Sequence, residues 1–204
     1  MVDDHLLAEA YHRGSNDLQM VVALLNLMAR EAPEQAGPLR DAADRVLLLA
    51  KARSAMINGK GRDLCSALRD VCAALQTLAE PRGIVVALHL EAEPDGFDDG
   101  AIIAISMAVN ELATNAIKHA FADRQRGTVL VSLQDAMDGT VSIFVNDDGT
   151  PFPIDLTAPT VQAGGLGLGL ARRLLEDHGR LVVPDGRTKQ FEIVLDQRAT
   201  PRLN

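Results

Sequence analysis

The sequence predicts two folds in series: an all-α antiparallel helical hairpin, paired with a second copy into a dimeric four-helix bundle, and then an α+β sandwich. Three observations predict this. Apolar residues recur every three or four positions up to Pro33 and again beyond it. The composition changes across Asn58-Gly59-Lys60-Gly61, a linker that divides the chain into units at 1–58 and 62–198. Past it, helical stripes alternate with short β-branched runs, the pattern of helices packed on a mixed sheet.

Each element follows from its residues. Over 3–30, Leu7, Tyr11, Gly14, Leu18, Val21, Leu25 and Met28 step by four and three, a coiled-coil-like seam on one helix. Asp3 and Asp4 suit its N-terminal end, where the helix dipole favours negative charge. Pro33, Gly37 and Pro38 break the pattern. Leu39, Ala42, Val46, Leu49, Ala52 and Met56 carry a second stripe. Leu24, Leu27, Leu47 and Leu48 are apolar off the seam, more surface than one hairpin buries, which predicts a homodimer, with packing of the hairpin on the chain's own second domain as the alternative. Leu64, Leu68, Val71, Leu75 and Leu78 mark a third helix, ending near Pro81 and Gly83. The β-branched run Ile84–Leu90 predicts a strand. A long helix covers 98–120. Strands at 127–133 and 140–145 flank a turn containing Asp138-Gly139. A Pro- and Thr-bearing loop spans 149–164, and a helix over 166–177 is entered through glycines. Short strands at 181–183 and 191–195 close a hairpin around Asp185-Gly186, and 199–204 is a frayed tail.

Composition excludes several classes. Hydrophobic residues are 47% and charged residues 24% of the 204, a globular balance. A net charge of -8 and a pI near 5.1 argue against nucleic acid, whose phosphates need clustered cations. Aromatics at 3% leave no base-stacking surface. No apolar run approaches the roughly 20 residues of a membrane span, and the acidic start lacks the basic region of a signal peptide. Cys65 and Cys72 lie about 10 Å apart along a helix, too far for a disulfide. Two reduced thiols and no membrane segment predict a cytoplasmic protein.

Four segments carry chemistry. In the run Asn110–Phe121, Glu111, Asn115 and Lys118 share one helix face, while Val109, Leu112, Ala116 and Ile117 form a buried one. A carboxylate, a carboxamide and a lysine on one stripe suit hydrated Mg²⁺ and an anionic phosphate chain; an ordinary solvated helix face is the plainer reading of that run alone. Asp147 ends a strand before the turn at Gly149 and is placed to accept from a purine amino group, though strand-ending Asp-Gly turns are common. Gly165, Gly167 and Gly169 alternate with leucines at a helix start and expose N–H groups to phosphate. Their spacing fits neither the Rossmann nor the Walker pattern. His12 sits one step past the seam, with Glu9 three residues earlier to accept a proton from one ring nitrogen and leave the other nucleophilic. A lone surface histidine is the plainer alternative.

The order of these four segments resembles the sensor histidine kinases of two-component signalling, in their HisKA_2/HWE-type branch. Glu9, His12, Arg13, Asn16, Leu18 and Gln19 match that branch's phospho-acceptor box. Asn110–Phe121 matches its N-box, Val145–Gly149 resembles its G1 box, and Gly165–Ala171 its G2 box. Tyr11 stands where the family has a first histidine, Gly14-Ser15 replace Val-Lys, and Pro151 replaces a G1 glycine. The resemblance implies a dimerisation and phosphotransfer hairpin followed by a Bergerat/GHKL-type ATP-binding sandwich. It implies that ATP and Mg²⁺ are bound, that His12 is phosphorylated, and that the phosphoryl group passes to an aspartate of a response-regulator receiver domain. Asn115 would hold the metal, Glu111 orient water or metal, Lys118 contact phosphate, Asp147 read adenine, and the Gly165–Gly169 segment close on the phosphates. A phosphotransferase relaying between receivers without ATP is the alternative in the same family, and a non-enzymatic dimeric adaptor a third reading.

Overall fold

The computed structural model describes residues 18–57, 63–121, 126–135, 139–150, 166–184 and 189–196. The chain divides into two units, Met1–Arg62 and Asp63–Asn204.

In the first unit, residues 18–31 are helical (α1), a 3-10 turn follows at Pro33–Gln35, and α2 spans Ala36–Ile57. The break is narrower than the sequence predicts. Gly37 and Pro38 do not interrupt α2 but lie in its first turn, where a missing proline N–H costs no intrahelical bond. The covered stripe of α1 also differs. Leu18, Val22 and Leu25 are half-buried and Ala29 is buried, whereas the predicted seam residues Val21 and Met28 are exposed together with Met20, Leu24 and Leu27. The larger side chains thus lie outside in the single chain, and the described residues of this one chain form no four-helix bundle.

The second unit is a five-stranded sheet in the order β1-β2-β3-β5-β4 with helices on one face. Its elements are α3 (Leu64–Ala79), a 3-10 turn (Glu80–Arg82), β1 (Ile84–Leu90), α4 (Asp99–His119), β2 (Gly127–Asp135), β3 (Thr140–Asp147), α5 (Leu166–Leu175), β4 (Gly179–Val182) and β5 (Phe191–Asp196). β1 and β2 are parallel, which requires a crossover, and α4 supplies it. The other pairs are antiparallel. Alternation sorts the side chains: Val129, Val131, Leu133, Val141, Ile143, Val145, Ile193 and Leu195 are buried on the helix side. The opposite face is mixed, with Ser142 Oγ donating to Glu192 Oε1 at 2.8 Å.

Two helix starts are capped by carboxylates. Asp63 accepts from Ser66 N at 2.7 Å and Asp98 from Ala101 N at 2.7 Å, each satisfying an orphan N–H. From α3, the carboxamide of Gln76 covers the outer edge of β1. Its Oε1 accepts from Val86 N at 2.7 Å and its Nε2 donates to Ile84 O at 3.4 Å.

α4 corrects one sequence reading: by length and composition it is long and apolar enough to cross a membrane. Here it is the central core helix, with Ile105, Ala108, Val109 and Leu112 at 1% exposure or less, between α3 and α5. Both cysteines are free and buried, and burial pushes the Cys72 thiol up to about 11.

Candidate functional site

The site is built where the C-terminal end of α4 meets the end of β3. β3 alternates Val141, Ile143 and Val145 toward the helices, so Asp147 continues that inner face with a carboxylate where an apolar residue would otherwise fall. Its side chain is 3% exposed. Oδ1 accepts from Gly149 N at 2.9 Å and from Lys189 Nζ. Among the described residues, Oδ2 receives no donor.

The turn after Asp147 is latched at both sides. Asp148 Oδ1 accepts from Thr128 N at 2.7 Å, and Asp148 N donates back to Thr128 O at 3.2 Å, which fastens the turn to β2. Thr150 then donates to Ala120 O through both its N–H, at 2.8 Å, and its Oγ1, at 3.2 Å. Ala120 is the C-cap of α4, so the latch binds an otherwise orphan carbonyl. Gly149 makes the approach possible, because a Cβ there would lie 2.2 Å from Ala120 O. Phe121 lies against Gly127 in the same way, where a Cβ would stand 2.1 Å from its ring.

This latch ties the turn after Asp147 to the C-terminal end of α4, the helix that carries the polar stripe. Asn115 lies about 7.5 Å along the axis before Ala120. Asn115 and Lys118 are half-buried, but Glu111 is 4% exposed, so the acidic end of the predicted stripe is drawn into the fold rather than solvated. At the C-terminal end of α4, Arg82 Nη1 donates to Ile117 O at 3.1 Å, and Lys118 and His119 place further positive charge there, complementing the dipole.

α5 packs along α4 through Leu168, Ala171 and Leu175. Gly167 and Gly169 fall inside its first turn, within the helix predicted over 166–177, which ends two residues earlier than predicted. Glycine's helix cost is local, and the leucine and alanine contacts with α4 outweigh it. Among the described residues a Cβ at Gly169 would meet nothing within 4 Å, and the first N–H groups of this turn have no partner within the helix. His12, Glu9, Gly165 and Pro151 lie outside the described residues. Sequence reasoning missed Lys189. Its signal was positional: it lies two residues before Phe191, hence on the same face as the apolar residues of β5.

Sheet and helix layer together make an α/β sandwich that resembles the GHKL type of ATPase domain. The chain belongs to the histidine kinase-like ATPase domain family, whose model matches residues 71–189, more than half of the sequence. It is 29% identical over 210 residues to blue-light-activated histidine kinase 2 of Erythrobacter litoralis, covering 97% of this chain and 59% of that protein. It is 25% identical over 202 residues to the sensor histidine kinase PdtaS of Mycobacterium tuberculosis, covering 94% of this chain and 39% of that protein. The chain therefore spans well under two thirds of the length of these relatives. In structure it is similar to the histidine kinase domain of the Erythrobacter litoralis EL346 blue-light-activated histidine kinase. The TM-score is 0.65 at 23% identity, covering 95% of this chain and 97% of that one.

Proposed function

We propose that this chain is a histidine kinase core of the HisKA_2/HWE-type branch that transfers the γ-phosphoryl group of ATP to His12 and then to an aspartate of a response-regulator receiver domain. The observation that carries this reading is the latch at Ala120, which ties the turn after the inward carboxylate of Asp147 to the C-terminal end of α4, the helix that bears Asn115 and Lys118. Two features fit ATP. Among the described residues Oδ2 of Asp147 is available to accept from the adenine amino group, and the first turn of α5 has N–H groups to offer phosphate. Among the described residues no group of three or more His, Cys, Asp or Glu side chains is arranged to hold a metal ion. Mg²⁺ carried on the triphosphate would be met by the Asn115 carboxamide, where it would supply charge neutralisation.

The chain's own part is chiefly positioning. Asp147 orients the base, Lys118 and the α5 turn hold the phosphates, and Glu111 orients water or the metal shell. The unprotonated imidazole nitrogen of His12 forms the N–P bond as the bond to the β,γ-bridging oxygen breaks and ADP leaves. Glu9 takes the proton from the other ring nitrogen. The exposed apolar face of α1 supports a homodimer built through 1–58, and an ATP-using chain with two free thiols fits the cytoplasm.

A phosphotransferase that relays without ATP is the second reading. It is favoured by one observation: Oδ1 of Asp147 already has Lys189 as a partner. Incubation with labelled ATP and Mg²⁺ separates the two. Acid-labile label that disappears in His12→Ala supports the kinase. No label on the wild type, with a phosphorylated receiver still passing its phosphate to His12, supports the phosphotransferase.

A further inference from the structure

We propose that Lys189 sets the base selectivity of the nucleotide site by pinning one oxygen of Asp147, so that the other is presented to a base bearing an exocyclic amino group. This rests on the ATP-site reading above and adds a residue to it.

The register of β3 and β5 pairs Val141 with Leu195, Ile143 with Ile193 and Val145 with Phe191. Continued by one more step of two, it sets Asp147 opposite Lys189. The three preceding pairs on this inward face are wholly apolar and buried. The fourth is an ion pair, with the Asp147 side chain 3% and the Lys189 side chain 18% exposed. A pair so desolvated adds little stability over an apolar pair of the same volume, because desolvation offsets the attraction. Stability alone therefore does not account for a Lys–Asp pair at the end of an otherwise hydrophobic ladder.

Geometry supplies another account. Both described contacts of Asp147, from Gly149 N and from Lys189 Nζ, fall on Oδ1. Two donors on one oxygen fix the rotation of the carboxylate about its last torsion, which is otherwise soft. Oδ2 is then held in one direction before any base arrives. A base with an amino group at C6 donates to it. A base with a carbonyl at C6 sets oxygen against oxygen and leaves a buried acceptor unpaired, the kind of mismatch that gives strong discrimination. Lys189 acts through Asp147 and is a positioning residue.

The test is calorimetric titration with ATP and with inosine triphosphate, which differ at C6, on wild type, Lys189→Met and Lys189→Arg, each with its melting temperature. Removing the lysine charge weakens both nucleotides together, since the site loses a cation near a polyanion, and a packing defect lowers the melting temperature. Only the ratio of the two affinities isolates the orientation of Asp147. The expected result is ATP favoured by about 10-fold or more in wild type, the order of one hydrogen bond to a charged acceptor. The ratio falls to about 2-fold in Lys189→Met and recovers in Lys189→Arg. An unchanged ratio in Lys189→Met overturns the role of Lys189 while leaving the nucleotide site standing. Failure of wild type to bind either nucleotide overturns the site and this assignment with it.

Discussion

Ala120 offers one backbone carbonyl on which two hydrogen bonds and one glycine depend. Gly149→Ala forces a Cβ to 2.2 Å from that oxygen, and backbone on both sides must move. A cost of about 1–3 kcal/mol is expected, read as a lower urea midpoint. Thr150→Val removes only the Oγ1 bond and is expected to cost about 1 kcal/mol. Titration adds a second residue-scale expectation. The Ser66 backbone N–H, and then its hydroxyl, hold the Asp63 carboxyl below its usual value of 3.8. Its contribution to stability is therefore present above pH 3.8 and is lost as pH falls through the depressed native value. Cys72 acts at the alkaline end. The unfolded thiol ionises near its usual 9.0 while burial keeps the native one protonated to about 11, so stability falls as pH rises between these values. Urea midpoints across that window should decline in the wild type and decline less in Cys72→Ala. Asp147 was legible because a carboxylate followed by Gly149 is a local signal. Lys189 was not, because its meaning comes from a strand 42 residues away in sequence.

At the scale of elements, periodicity specified more than boundaries did. Ile84–Leu90 is read from its β-branched run without error, and α4 to within a residue at each end. Helix α1 shows the limit of that reading. A step of three and four places Val21 and Met28 on a seam, but the single chain covers Val22 and Ala29 and leaves 21 and 28 outside. Sequence spacing cannot say which of two adjacent stripes faces which neighbour. If the exposed stripe is the dimer surface, Leu24→Glu with Leu27→Glu should convert a dimer to a monomer in sedimentation at micromolar concentration while the helix content stays the same. A wild type that sediments as a monomer removes the dimer. α5 starts at Leu166, where the sequence reading places it, and burial of Leu168, Ala171 and Leu175 against α4 sustains the helix despite its glycines.

For the whole molecule, the two-unit order and the helix-on-sheet class follow from the change of composition at the linker and from the switch of period beyond it. Strand order did not follow: nothing local says that β5 lies between β3 and β4, because that adjacency is set by pairing across the intervening α5. Ligand binding gives the global expectation. ATP at about 100 times its dissociation constant should stabilise the fold by about 2.7 kcal/mol, raising the melting temperature. Asp147→Asn should reduce that shift at the same ATP concentration. A final consequence comes from Gln76. β1 is a terminal strand of the sheet, and such a strand is a template for another chain during synthesis and at high concentration. By occupying Val86 N and Ile84 O, one side chain stands in for a sixth strand and brings lateral growth to a stop. Replacing it with alanine would turn a finished border into a nucleation site, and the fault would surface as slow fibril formation in stored protein well before any drop in melting temperature.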